Sequence, residues 1–257
     1  MHLTWLNSNS WLIELADTRI LLDPWLVGPL VFGNAPWFFK GERTQQRAIP
    51  ENIDLILLSQ GLEDHAHPPT LQLLDRNIPV VASINAAKVV EKLGYTKITT
   101  LTHGQSFTFA NKVTIIATPG SPIGLMLVEN GYLLLDTINK TSLYYEPHGY
   151  HSSTLKELAP VDVVITPIID IEIVLLGQFI KGVKSAVELI EWLRPQVIIN
   201  TAAGGDVKFG GILASVLRAK VGAAQLRNLL AQKNLPTKVI EALPGQRFEA
   251  LAIRSTQ

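Results

Sequence analysis

Residues 53–65 read Ile-Asp-Leu-Ile-Leu-Leu-Ser-Gln-Gly-Leu-Glu-Asp-His. Ile53–Ser59 is nearly all apolar, the pattern of a strand buried on both faces rather than one alternating between core and water. The polar residues that follow therefore sit at a strand end, where α/β folds tend to place their sites. Asp64-His65-Ala66-His67 continues the turn. Pro68-Pro69 suits the start of a short helix, expected over Thr70–Asp75.

On the N-terminal side, Leu3–Leu6, Trp11–Glu14 and Arg19–Leu22 are short apolar runs split by Asn7-Ser8-Asn9-Ser10 and Asp17-Thr18, as in a β-meander. On the other side, Pro79–Ala82 predicts a strand and Asn85–Leu93 a helix closed by Gly94. Phe107–Phe109, Val113–Ala117, Ile123–Val128, Tyr132–Leu135 and Ser142–Glu146 predict further strands. The second half returns to alternation. It shows a strand at Val161–Thr166, a helix at Ser185–Leu193 with a Ser185-x-x-Glu188 capping box, and a strand at Val197–Asn200. A mostly helical stretch follows at Ile212–Gln232, then a last strand at Arg247–Ile253. Many strands with helices between some of them predict an α/β chain of stacked sheets covered by helices. No linker or repeat interrupts it, so a single domain over residues 1–257 is expected. Pro24 to Asn52 is the one long irregular piece. Its Trp25, Leu26, Phe32, Trp37, Phe38 and Phe39 suit either core filling or an apolar wall beside a binding site.

The chain has 257 residues, with 22 Lys+Arg against 22 Asp+Glu, and 47% of it is hydrophobic. So apolar a chain offsets its ordering entropy, which excludes disorder as the main state. A neutral balance argues against nucleic acid as a partner. With 0 Cys, disulfides, thiolate zinc sites, iron–sulfur clusters and a cysteine nucleophile are excluded. No basic leader precedes an unbroken apolar stretch. The apolar region Val161–Ile180 is interrupted by Asp162, Pro167, Asp170 and Glu172, so no transmembrane segment is expected and the cytoplasm is the default compartment, a soluble organelle being equally compatible.

No G-x-S-x-G elbow, phosphate-binding G-x-x-x-x-G-K-[ST] loop or G-x-G-x-x-G turn is present. The histidines instead fall into two groups of interest, Asp64-His65-Ala66-His67 and Glu146-Pro147-His148-Gly149-Tyr150-His151. Each follows an expected strand, and Asp, Glu and His are the ligands open to a cysteine-free metal site.

These segments resemble the metallo-β-lactamase fold superfamily, and within it the sugar-lactonase-like metal-dependent hydrolases. Ser59-Gln60-Gly61-Leu62-Glu63-Asp64-His65 is similar to the family's T-H-x-H-x-D-H signature, and Ala117-Thr118-Pro119-Gly120-Ser121 to its T-P-G-H. Leu143–His148 sits where relatives end a strand in G-D-T, and Arg194–Ala202 resembles the stretch that carries a final histidine. The resemblance implies an αββα four-layer sandwich, two packed mixed sheets covered by helices. It also implies an eroded metal site. Gln60, Leu62, Ser121 and Ala202 stand where histidines are expected, and Pro147 where a bridging aspartate is. Asp136 is a rival for that last position.

Asp64, His65 and His148 remain as a two-histidine, one-carboxylate set for one zinc, manganese or iron ion. Asp64 and Glu146 are the candidate catalytic carboxylates, and Asp23 and His67 the candidate supports behind the ligands. Gln60, Trp25, Trp37 and Tyr145 are the candidate substrate contacts. The implied function is a metal-dependent hydrolase with at most one ion, acting on a small, partly apolar ester, lactone or phosphodiester. The competing reading is a non-catalytic binding protein that keeps fold and pocket, takes a small-molecule ligand and holds no metal. A third uses the aromatic loop as a protein contact surface.

Overall fold

The apolar run around residue 55 forms the strand Leu55–Leu58, and its side chains divide between two faces. Leu55 and Leu57 lie in the core between two sheets, whereas Ile56 and Leu58 lie under helices. This double burial is why the stretch does not alternate with polar residues.

The computed structural model describes residues 1–123, 127–173, 177–220 and 222–251. Two seven-stranded sheets form its centre. The first runs Arg247–Glu249, His2–Trp5, Trp11–Leu15, Thr18–Leu22, Leu55–Leu58, Val80–Ala82, Ile98–Thr100. Its neighbours pair antiparallel as far as Thr18–Leu22 and parallel beyond. The second runs Lys238–Ile240, Val197–Asn200, Val163–Thr166, Ser142–Tyr145, Leu127–Asp136, Val113–Ile123, Ser106–Phe109. It is parallel as far as Ser142–Tyr145 and antiparallel beyond.

Leu3, Trp11, Ile13, Leu22, Ile115 and Ile199 pack between the sheets. The helices Pro68–Leu73 and Ile84–Lys92 cover the outer face of the first sheet. Val183–Leu193 and Ala223–Gln232 cover that of the second, giving the expected four layers. Adjacent tyrosines show the same division: Tyr144 joins the helix-covered core and Tyr145 the core between the sheets. Among the described residues, no helix is long and apolar enough to cross a membrane.

Several expected elements differ. The segment from Pro24 to Asn52 is not irregular throughout: Leu30–Val31 and Lys40–Arg43 form a three-stranded sheet with Val207–Gly210. The stretch at Ile212–Gln232 is broken by a strand, Leu217–Lys220, which pairs with Asp170–Ile173. Leu, Arg, Ala and Lys favour helix locally, but here the unpaired edge of a partner strand overrides propensity. The helix expected from Ser185 begins at Val183, and the Ser185 hydroxyl donates to the Gly149 carbonyl at 2.5 Å instead of capping. The turn at Ser153–Leu158 is a 3₁₀ helix capped by Ser152. The strand expected at Ile123–Val128 is not one strand: Ile123 ends Val113–Ile123 and Leu127 begins its antiparallel partner Leu127–Asp136, with residues 124–126 outside the described residues. The expected end of Arg247–Ile253 also lies outside the described residues.

Gly61 permits the close passage of the turn after Leu58. A Cβ there would lie 2.9 Å from the Asn85 backbone. Gly61→Ala should lower stability by ~1–3 kcal/mol in urea unfolding. Gly210→Ala, which meets nothing within 4 Å, should leave it within ~0.5 kcal/mol of the parent.

Candidate functional site

The parallel strands of both sheets end on one side of the molecule, and the segments leaving them build the site. Asp23 follows Thr18–Leu22 in a left-handed backbone conformation, φ 42°, and is fully buried. Ser10 holds this bend, donating to the Asp23 carbonyl and accepting the Trp25 N–H, each at 2.8 Å. The Asp23 carboxylate accepts from the Ser59 N–H at 2.7 Å, the Ser59 hydroxyl at 2.5 Å and the Tyr145 hydroxyl at 2.7 Å. His65 Nδ1 lies 2.7 Å from the same carboxylate.

The far ring nitrogen of His65, Nε2, lies 3.2 Å from Asp64 Oδ2. Burial disfavours charge on this ring, but the Asp64 and Asp23 carboxylates outweigh it and raise its pKa to about 10. Burial also opposes ionisation of Asp64, yet His65 beside it brings the carboxyl below its ordinary value. His148 lies edge to face with His65, ring centroids 5.2 Å apart. Burial first, and the His65 charge second, lower its pKa to about 3. Gln60 Nε2 and Ser121 Oγ each lie 2.9 Å from His148 Nδ1, and Gln60 donates to Ser121 at 2.8 Å. Two positions where the resemblance expects ligands thus form a neutral seat for the His148 ring.

Ligand atoms of Asp64, His65 and His148 lie within 4.8 Å of one another, so the three expected donors meet. They fit one divalent ion. Asp64 Oδ1 is a buried acceptor with no hydrogen-bond partner, and Asp23 is placed as the outer carboxylate that orients a ligating histidine. A second ion has no such support, because Leu62 and Ala202 carry no donor atom. Among the described residues this is the only group of its kind.

The other candidates are placed differently. Glu146 Oε2 accepts the N–H groups of His148 at 3.1 Å and Tyr150 at 2.8 Å, bracing the turn that presents His148. Burial raises its pKa to about 8 against these hydrogen bonds. His67 caps the helix Pro68–Leu73: its Nδ1 accepts the Thr70 N–H at 3.3 Å, and its Nε2 lies 3.3 Å from the Pro29 carbonyl. Tyr145 is spent on Asp23. Trp25 is fully buried, its indole donating to Gly28, and Trp37 is 67% exposed. Asp136 closes its own turn at 136–139, at the opposite end of its strand from the Tyr132–Tyr145 pair that leads to Glu146.

A cavity of about 320 Å³ opens onto Asp64 and His148. Leu30, Phe39 and Phe209 come to its wall from one small sheet and its flanks, Ile171, Ile180 and Leu217 from the other. Leu62 and Ala202 also line it, as does Asn9, whose amide nitrogen is 3.4 Å from both Asp64 Oδ2 and His65 Nε2. Sequence reasoning offered Phe39 for such a wall but missed Asn9, Leu30, Phe209, Ile171, Ile180 and Leu217. The alternation Ile169-x-Ile171-x-Ile173 was the available signal for a strand with one apolar face.

Residues 2–202 match the family model of the beta-lactamase superfamily domain. A "UPF0173 metal-dependent hydrolase" from Carboxydothermus hydrogenoformans is 26% identical over 219 residues, covering 77% of this chain and 83% of the relative. Another from Caldivirga maquilingensis is 24% identical over 233 residues, covering 80% and 96%. Among solved structures, isothiocyanate hydrolase from Delia radicum gut bacteria has a TM-score of 0.70 at 16% identity, covering 97% of this chain and 99% of that one. CmlA, a diiron beta-hydroxylase from Streptomyces venezuelae, also has a TM-score of 0.70 at 17% identity, covering 96% and 53%. At these identities the structural likeness shows the fold alone, and the two names span different chemistries.

Two outcomes follow from the buried network. Asp23→Asn should cost roughly 3 kcal/mol in urea unfolding, because it leaves the His65 charge short of a partner. His151, between the Tyr144 and Thr166 hydroxyls at 3.3 and 3.4 Å, has its pKa lowered to about 3 by burial and then by Lys181. Its contribution to stability is present above the unfolded pKa of about 6.5 and is lost as pH falls toward 3. His151→Gln should flatten the fall in stability over that window by up to ~1 kcal/mol per pH unit, measured by unfolding at stepped pH.

Proposed function

The chain belongs to the beta-lactamase superfamily domain family, and from that membership we propose that it is a hydrolase dependent on a single divalent metal ion. The observation that carries this reading is the convergence of Asp64, His65 and His148, two of which, Asp64 and His148, line a cavity. These three residues would hold zinc, manganese or iron. Such an ion supplies Lewis acidity toward a substrate oxygen and makes water a better nucleophile at neutral pH. The metal-dependent hydrolase relatives support the same assignment.

The protein's own groups do the rest. Asp23 fixes the orientation of His65 through Nδ1, so that Nε2 faces Asp64. Gln60 and Ser121 fix His148. Asp64 lines the cavity, and its Oδ1 is a buried acceptor without a hydrogen-bond partner. Glu146 acts at one remove, by holding the backbone of the His148 turn. The bond cleaved is an ester, lactone or phosphodiester of a small, partly apolar molecule, which keeps the lactonase-like branch in view.

One observation favours a second reading, a binding protein without metal. Both ring nitrogens of His65 already lie within hydrogen-bonding reach of carboxylates, and Leu62 and Ala202 turn two ligand positions into apolar wall. Elemental analysis after expression with zinc, manganese or iron decides between them. The hydrolase reading expects about one ion per chain. His148→Ala and Asp64→Ala should lose it together with at least ~100-fold of any esterase activity, and Asp23→Asn should weaken metal affinity ~10–100-fold. A metal-free protein under all three conditions would leave the binding reading standing.

A further inference from the structure

The cavity beside the candidate ligands is apolar on nearly every side, and its polar members are Ser8, Asn9, Asp64 and His148. Among the described residues no lysine or arginine lines it, and its single charged group is the Asp64 carboxylate. Leu62 and Ala202 stand in this wall within the same lining as Asp64 and His148. The space that a second ion and its histidines would need is therefore bounded by hydrocarbon.

From this we infer that the site takes an uncharged substrate whose aliphatic or aromatic part fills the hollow bounded by Leu62, Ala202, Phe39, Phe209, Ile171 and Leu217. The inference rests on the hydrolase reading for its chemistry and narrows its substrates to neutral carboxylic esters and lactones. The physical ground is desolvation. An anion brought into such a wall loses water and meets no fixed cation. A divalent ion held by the triad would have the Asp64 carboxylate among its ligands, which would offset part of its charge. An apolar chain gains with every buried methylene, roughly fourfold in affinity each. A cavity of about 320 Å³ is at the small end of ligand pockets, which leaves room for one unbranched alkyl chain or a single ring. The molecule does have a cavity with cations, lined by Lys181 and Lys184, but none of the three candidate ligands lines it.

Two probes of matched chain length separate the alternatives: methyl nonyl ketone, neutral and not hydrolysable, and decanoate, its anionic counterpart. Binding to the purified protein is followed by calorimetry, with metal content measured on the same samples. The ketone should bind at least ~10-fold more tightly than decanoate. Leu213 also lines the hollow, and Ala202→Phe and Leu213→Trp, which fill it, should each weaken the ketone by at least ~10-fold while holding metal at the parent level. Decanoate binding as well as the ketone overturns the inference. So does unchanged ketone affinity in the folded filling variants. Should both variants fail to fold, the contrast between the two probes on the parent protein still decides. Ketone binding to a protein without metal would sustain the neutral-ligand pocket while removing the hydrolase reading, so the two failures are separable.

Discussion

The carboxylate of Asp23 is the constraint on which the site depends. It gathers donors from a turn after one sheet (Ser59 and His65) and from a strand of the other (Tyr145). No water reaches it, so each donor lost would leave an uncompensated charge in a medium of low dielectric. This makes the separation of the two sheets and the aim of His65 parts of one arrangement. Tyr145 is wholly buried with its hydroxyl on this carboxylate, and a charge held by the fold core tolerates little displacement.

The two large sheets contribute through their mirrored layout. Each is half antiparallel and half parallel, and the parallel halves send their chain ends to the same side. Asp23, the turn with Asp64 and His65, the turn with His148, and Ala202 each leave such a strand. Ala202 takes a left-handed conformation, φ 59°, with its N–H on the Ser8 carbonyl at 3.2 Å. The backbone there is occupied in joining the sheets, and a small side chain is what remains to face the cavity.

Much of this frame is legible in the residues. The run at Leu55–Leu58 is apolar throughout because both its faces are covered. Asp64, His65 and His148 stand out because charged and imidazole groups at strand ends have few reasons to be buried. What escapes reading depends on pairings distant in the chain. Nothing local in Leu30–Val31, Lys40–Arg43 or Val207–Gly210 says that they form a sheet, and Leu217–Lys220 is composed like helix. Aromatic content marked the segment after Pro24 as notable but could not say which rings face the cavity. Trp25 packs beneath it and Trp37 faces solvent, while Phe39 and Phe209 line the space. The seat that Gln60 and Ser121 make for His148 likewise exists only once the two sheets are stacked.

The cap over the cavity has a kinetic consequence. Its walls belong to two small sheets, and each is closed by backbone hydrogen bonds between segments far apart in the chain. Such a cover does not swing on one hinge, since widening it means parting a ladder rather than rotating a loop. Exchange of an occupant as broad as the cavity would then be timed by local opening of those ladders, and residence would lengthen wherever the ladders are reinforced.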